Sequence, residues 1–348
     1  HCTPYIIMGN INKICICGGG GLGHTCAAVL SSHPNVEVMM YTQHPANWQQ
    51  EFLVVDPKNK QYNAHLTTIS NQPQIVIPNA DLVLLCLPAF LVKQTLIDIK
   101  PFLSPNTIIG SVVGNTGFFL FAHEVLHNSK NGLFAFQRVP YISRVLEYGK
   151  KASLLGYKDS LLMATENIHD TQNFCQTIST LFLTPTEIVD SFYEVTLSNS
   201  NPILHTGRLY TMWKDWDGKP FTTNPLFYHD WTDEASQTIL QMDQEFFQLL
   251  QVLHISTKHL NTLLQHYEVL DASALTIKLK NIPSFAGIYS PMQQTAEGWI
   301  PDFKSRYFTE DFPFGLRFIY ELAHKHNHPC PTIDKVYHWG MNQIAQDK

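Results

Sequence analysis

Apolar and polar positions divide the chain into a first half built on strand-length apolar runs and a second half built on helical spacing. Between Lys13 and Tyr41, a short run of β-formers, KICIC, ends in four glycines. A helix-compatible segment, halted by Pro34, and a second apolar run, NVEVMMY, follow. That order predicts a β-α-β unit. FLVVDPKNKQYNAHLTTI (52–69) alternates apolar and polar residues around a DPKNK turn and reads as a β-hairpin covering one side of the sheet. DLVLLCLP (81–88) is nearly continuously apolar, the mark of a parallel strand buried on both faces. Further elements follow in order: a helix over 90–99, a strand over 107–112, a helix over 118–127, and a strand and turn in GLFAFQRVPYISRV. Short strands over 153–157 and 160–164 and a helix over 170–182 close this half.

The composition changes near Thr184 and Pro185, and from Glu187 onward helical patterns dominate. The clearest runs from Asp233 to Leu253. Ala235, Ile239, Met242, Phe246, Leu249 and Leu253 recur at three- and four-residue spacing, behind Thr232 as cap and an acidic first turn. The expected architecture is an α/β Rossmann-like domain over 8–184 followed by an all-α domain over 185–348.

The glycines fit G-x-G-x-x-G at Gly18, Gly20 and Gly23, with Gly21 and Leu22 between the last two. The first permits a tight turn, the second lets backbone approach a pyrophosphate, and the third lets helix and strand pack. N–H groups at the new helix's start then face the anion. Placed between a strand and a helix, the motif predicts a dinucleotide site. Leu87 and Pro88, at the carboxyl end of the next strand, are further candidates for its wall. The acidic residue that usually holds the ribose of NAD is missing, since Tyr41, Thr42, Gln43 and His44 occupy the end of the second strand. No arginine stands there for a 2′-phosphate, although the Thr42 hydroxyl or His44 would reach one. NAD and NADP both stay open.

With 348 residues the chain is long enough for two domains. Its 23 Lys and Arg against 29 Asp and Glu give a net charge of −6, which argues against nucleic acid or anionic membrane as main partner. Seven cysteines without paired spacing suggest reduced core residues of a cytoplasmic protein, and Cys15 and Cys17 read as buried packing. The opening HCTPYIIMGN has neither a cationic n-region nor a long apolar core, so no signal peptide is expected. No apolar run approaches the ~20 residues of a membrane span. HKHNHPC (324–330) follows a helical segment and reads as a polar helix end and loop; no metal site is expected.

Two stretches outside the nucleotide unit gather reactive side chains: 197–210, with Asn199, Asn201, His205 and Arg208, and 302–316, with Arg306, Glu310 and Asp311. Reducing a carbonyl or imine calls for a proton donor near neutral pH, the range of histidine. A carboxylate on the other ring nitrogen fixes the tautomer, and an arginine grips a substrate carboxylate with paired hydrogen bonds. The aromatic-rich segment holding Trp213, Trp216, Phe221, Phe227, Tyr228 and Trp231 suits either a substrate wall or a small helical core.

ICICGGGGLGH with DLVLLCLPAF, NPILHTGR, and RYFTEDFPFGL together resemble the octopine/nopaline (opine) dehydrogenase family over nearly the whole chain. The resemblance implies an NAD or NADP cofactor and a helical second domain of the 6-phosphogluconate dehydrogenase C-terminal type. It also implies reductive condensation of an amino acid with a 2-oxo acid such as pyruvate or 2-oxoglutarate, through an imine. Carried over by motif, His205 and Asp311 become the acid/base pair and Arg306 the holder of a substrate carboxylate, with Asn115 and Asn199 as neutral donors. Where the family carries an acidic residue and a threonine before a proline, this chain has Gln137 and Arg138 before Pro140. That change weakens the case for a cationic amino acid and makes Arg138 a candidate contact to an anionic or neutral one. The expected partners are small molecules, with room for a homodimer. A simple 2-oxo acid reductase of the same plan, or a dinucleotide-binding sensor without turnover, are the competing readings.

Overall fold

In the computed structural model, which describes residues 11–347, the chain forms two compact units that divide after Thr196. The opening HCTPYIIMGN lies outside the described residues.

The first unit is organised by one eleven-stranded sheet. Its start is the predicted β-α-β unit: β1 (Lys13–Cys17), α1 (Gly21–Ser31) and β2 (Glu37–Tyr41). The chain continues through β3 (Glu51–Val55), β4 (Gln61–Ser70), β5 (Leu82–Leu85), α2 (Ala89–Ile99), β6 (Ile108–Ser111), α3 (Phe118–Val125) and β7 (Leu133–Phe136). The parallel strands lie in the order β4-β2-β1-β5-β6-β7, with Cys15 beside Met39 on one side and Val83 on the other. Chain direction across the sheet reverses between β1 and β5, where open α/β sheets bind ligands at their carboxyl ends. β1 and β5 are buried on both faces, which is why their sequences lack alternation.

The 52–69 hairpin does form, but its place differs from the expected one. β3 and β4 pair antiparallel, and β4 pairs parallel with β2, so the hairpin extends the sheet instead of covering it. Outside it lie β8 (Tyr141–Glu147) and β9 (Lys151–Tyr157), joined through β9 to β3. At the opposite edge, β10 (Leu161–Glu166) runs antiparallel to β7, and α4 (Thr171–Leu181) leads to β11 (Thr186–Ile188) beside β10. Because β11 is held by the sheet, the chain stays with the first unit past residue 184, the expected boundary, to Thr196. Cys15 and Cys17 are fully buried, and the six cysteines among the described residues are free.

The second unit is mainly helical: α5 (Asn201–Trp213), α6 (Asp233–Val252), α7 (Ala272–Lys280), α8 (Arg317–Lys325) and α9 (Pro331–Gln346). It departs from the all-α expectation in a two-stranded ribbon, β12 (Met292–Thr295) with β13 (Gly298–Pro301). Thr232 caps α6 by accepting the Ala235 N–H, and Ala235, Ile239, Met242, Phe246 and Leu249 are buried as their spacing requires. HKHNHPC spans the end of α8 and the following loop; there His324 pairs with Asp334. Among the described residues no helix is long and apolar enough to cross a membrane.

On the inner face of α6, Asp243 accepts the Leu263 N–H at 2.8 Å. Burial lifts its carboxyl to about 6, against the opposing pull of that N–H. A folded value above the unfolded ~3.9 means that the fold prefers the neutral acid. Above about pH 6 the fold therefore carries the cost of a buried charge, and in strong acid that cost is absent. Asp243→Asn, which keeps an acceptor for Leu263, is expected to stabilise the protein at pH 8 by roughly 1–3 kcal/mol and to leave the melting temperature at pH 4 unchanged. Thermal melts at the two pH values check this.

Candidate active site

The glycine loop occupies the reversal point of the first unit's sheet. Gly18 has φ +130°, and a Cβ there would lie 2.3 Å from the Cys86 carbonyl oxygen and 3.2 Å from a Leu87 methyl. Only glycine fits that approach. At Gly20 a Cβ would meet nothing within 4 Å, so the backbone at the start of α1 is open on the side where a pyrophosphate would bind. A Cβ on Gly23 would make only ordinary contact with Gly18, so close helix–strand packing puts little demand on this third glycine. Leu87 is half-buried beside Gly18, and Pro88 is exposed at the start of α2. Leu22 and Gly21 are half-buried in the first turn of α1, and Thr42 is buried, its hydroxyl accepting the His44 N–H at 3.3 Å. This cradle fits a dinucleotide.

His24, which no sequence pattern marks, fixes the cradle. Its Nδ1 donates to the Gly20 carbonyl at 2.7 Å, and its Nε2 accepts the Gly149 N–H at 2.8 Å. The ring is fully buried against Trp48, and burial lowers its pKa, so it stays neutral and keeps both bonds.

In the second unit, α5 positions the chemistry. Pro202 stands in its first turn, and Asn199 Oδ1 accepts the Asn201 N–H at 3.0 Å just ahead of the helix. His205 and Arg208 are three residues apart on this helix. Gly207 lets α5 approach α6, since a Cβ there would lie 2.5 Å from an Ile239 methyl. On the other side the turn Phe312–Leu316 closes on Pro202, because a Cβ on Gly315 would meet the proline ring at 2.7 Å. Phe312, fully buried near Trp339, anchors that turn. Asp311 at its head is thereby brought to His205, although the two are separated by 106 residues.

His205 Nδ1 donates to Asp311 Oδ2 at 2.8 Å, and the two side chains are only 14% and 16% exposed. With Nδ1 thus occupied, Nε2 is left to carry the chemistry. Its partner is the Tyr228 hydroxyl at 3.1 Å. Tyr228 is buried against Phe285 and Trp231, and the Tyr307 ring lies 4.8 Å from the imidazole. Burial, with Tyr307, Tyr267 and Asp311 nearby, raises the Tyr228 phenol well above its ordinary range, so it remains a neutral hydroxyl.

Arg208 holds the segment that carries Tyr228. Its Nε donates to the Phe227 carbonyl at 3.1 Å and its Nη2 to the Asp230 carbonyl at 3.0 Å, while its guanidinium lies over Trp231. Burial lowers its pKa to about 10, opposed by Asp230, so it stays charged at neutral pH. The aromatic segment is both core and wall: Phe227 and Trp231 fill the interior, and Tyr228 reaches His205.

Arg306 is 86% exposed at the start of the short helix Arg306–Thr309, and its Nε lies 3.7 Å from Glu310, so its nearest acid is Glu310 and not Asp311. Asn115 is half-buried in the single turn Gly114–Thr116 after β6, and Arg138 is exposed after β7. Tyr307 was not among the sequence candidates, and Tyr228 was named only within the aromatic segment, with no link to His205. The signals for them were their positions within FYHDW and RYFTED. Tyr228→Phe is expected to lower kcat about three- to tenfold, the loss of one buried hydrogen bond, without changing cofactor affinity; steady-state rates and an NADH titration check it.

Comparison with known proteins agrees with the two-part construction. Residues 188–344 match the family described as NAD/NADP octopine/nopaline dehydrogenase, alpha-helical domain, and residues 14–114 match ketopantoate reductase PanE/ApbA. The chain is 27% identical to tauropine dehydrogenase of Arabella iricolor, covering 95% of this chain and 91% of that one. It is 26% identical to opine dehydrogenase of Haliotis discus hannai, covering 96% and 90%. An octopine dehydrogenase structure with NADH and L-arginine superposes with a TM-score of 0.81 at 23% identity, over 96% of this chain and 89% of that one. Residues 188–344 thus carry the alpha-helical domain of the octopine/nopaline dehydrogenases, and the chain is similar to tauropine and opine dehydrogenases over nearly their full length.

Proposed function

We propose that the protein is an NAD(P)H-dependent opine-type dehydrogenase that condenses an amino acid with a 2-oxo acid, pyruvate or 2-oxoglutarate, and reduces the imine to a secondary amine. The observation that carries the reading is the His205–Asp311 hydrogen bond at 2.8 Å, formed by the two motifs of the helical domain. Relatives named tauropine, opine and octopine dehydrogenase support the reaction class.

Gly18, Gly20, Gly21, Leu22, Gly23, Thr42, Leu87 and Pro88 would hold the cofactor. NAD(P)H, when bound, supplies the hydride. His205 moves the protons. Its Nε2 takes one from the incoming ammonium, freeing the amine to attack the 2-oxo carbon, and returns it to the carbinolamine hydroxyl, which departs as water. Asp311 keeps the imidazole in the tautomer that leaves Nε2 free to accept, and offsets the charge while the ring is protonated. Arg306 would take a substrate carboxylate, its guanidinium being exposed and in long contact with Glu310. Asn115 and Arg138, at the carboxyl ends of their strands, would serve the amine partner, and so would Asn199 through its amide nitrogen. With Gln137 and Arg138 ahead of Pro140, that partner is neutral or anionic rather than cationic.

A 2-oxo acid reductase would use the same cradle, since the ketopantoate reductase match covers that part of the chain. Mass spectrometry of the product separates the two: a secondary amine supports the proposal, and a hydroxy acid formed at the same rate without amine overturns it. The six free, buried cysteines support a reducing, cytoplasmic setting. The exposed Ile142 and Leu146 on edge strand β8 offer a surface for a homodimer, which light scattering tests.

A further inference from the structure

The loop after β2 has no carboxylate to hold an adenosine ribose, yet the structure brings a different group to that place from far along the chain. Tyr148 sits in the turn joining β8 to β9, and a Cβ on Gly19 would lie 2.3 Å from its hydroxyl and 3.7 Å from Thr42 Oγ1. Two hydroxyls therefore flank the same point of the glycine loop, beside the end of β2, where the ribose-binding acid of a dinucleotide fold stands.

Tyr148 is held there from several sides. Trp48 Nε1 donates to its hydroxyl at 3.2 Å, and its ring packs against Trp48 and His24 at 5.3 and 5.4 Å. The next residue, Gly149, has φ +72°, and a Cβ there would lie 2.2 Å from the Asn47 carbonyl oxygen, so the turn sits tightly on the segment after β2. His24 ties the same turn to the glycine loop through the Gly149 N–H. Ser143 on β8 completes the contact, its hydroxyl 2.7 Å from that of Thr25 in α1. The Tyr148 oxygen thus accepts one bond and keeps its own O–H to give.

On the reading that this loop holds NAD(P)H, we propose that Tyr148, with Thr42, takes the place of the missing acid and reads the adenosine ribose through neutral hydroxyls. A carboxylate at this position excludes NADP by repelling its 2′-phosphate; a phenol carries no such charge. The nearest acid on the turn, Glu147, is exposed and paired with Lys150 at 3.3 Å. The chain therefore binds NADH and NADPH with affinities of the same order.

Fluorescence titration of NADH and NADPH into the wild-type protein, Tyr148→Phe and Glu147→Gln tests this without reference to turnover, with thermal melts showing that each variant is folded. The expected result is wild-type dissociation constants within about tenfold of each other, a three- to tenfold weakening of NADH by Tyr148→Phe, the size of one lost hydrogen bond, and less than twofold by Glu147→Gln. Should Tyr148→Phe bind NADH as the wild type does, or Glu147→Gln be the variant that weakens it, or NADPH bind a hundredfold more weakly than NADH, the assignment of Tyr148 is wrong while the cofactor site stands. If the wild type binds neither nucleotide, the cofactor site itself is misread and the role of Tyr148 falls with it.

Discussion

His205→Asn is expected to lower kcat about a thousandfold while leaving the dissociation constant for reduced cofactor unchanged. General acid–base transfer by a placed side chain contributes about 10² to 10⁴ in rate, and His205 alone holds the position between Asp311 and Tyr228. Asparagine is close in length to the inner part of the ring and can still donate to Asp311, so folding is preserved, but nothing replaces Nε2. On the proposed reading cofactor affinity belongs to the glycine loop, which is part of the other unit, so it is expected to stay as it is. Single-turnover rates with a cofactor titration check both halves. A variant with wild-type turnover would show that His205 is no acid or base.

Asp311→Asn is expected to cost about a hundred- to a thousandfold in kcat with little loss of stability. The carboxylate accepts the Nδ1 hydrogen and so leaves the Nε2 lone pair free. An asparagine amide turned to present its N–H to Nδ1 would put the hydrogen on Nε2 instead, and the neutral ring would then have no lone pair where a proton must be taken. Nitrogen NMR of the imidazole reads this change directly: the neutral ring is expected as the Nδ1–H tautomer in the wild type and as the Nε2–H tautomer in the variant. An unchanged tautomer together with full activity would reduce Asp311 to a structural partner.

How much of this was legible in the sequence follows from how local each signal is. KICIC, DLVLLCLP and the Asp233 helix declare themselves, because burial on both faces or on one helical stripe writes a continuous or a periodic apolar pattern. The 52–69 hairpin was equally clear as a hairpin, but whether it covers or extends a sheet depends on the partner of β4, which no local pattern encodes. The chain stays with the first unit past residue 184 because the three residues of β11 pair with β10, the strand before it. At the site, His205 and Asp311 were named together because their motifs, each modest alone, jointly resemble those of one family; a hydrogen bond of 2.8 Å joins them. Tyr228 was submerged in an aromatic-rich segment whose rings mostly fill the core, and Tyr148 and His24 depend on a turn more than 100 residues from the loop that it covers. Arg306 was expected near Asp311; the short helix that it begins turns its side chain outward to Glu310.

The most direct test of the central claim is initial-rate oxidation of NADH and NADPH by the purified protein with pyruvate or 2-oxoglutarate, each with and without a panel of neutral, anionic and cationic amino acids. The account predicts oxidation that requires both an oxo acid and an amine, fastest with a neutral or anionic one. Oxidation that proceeds as fast with the oxo acid alone would contradict it.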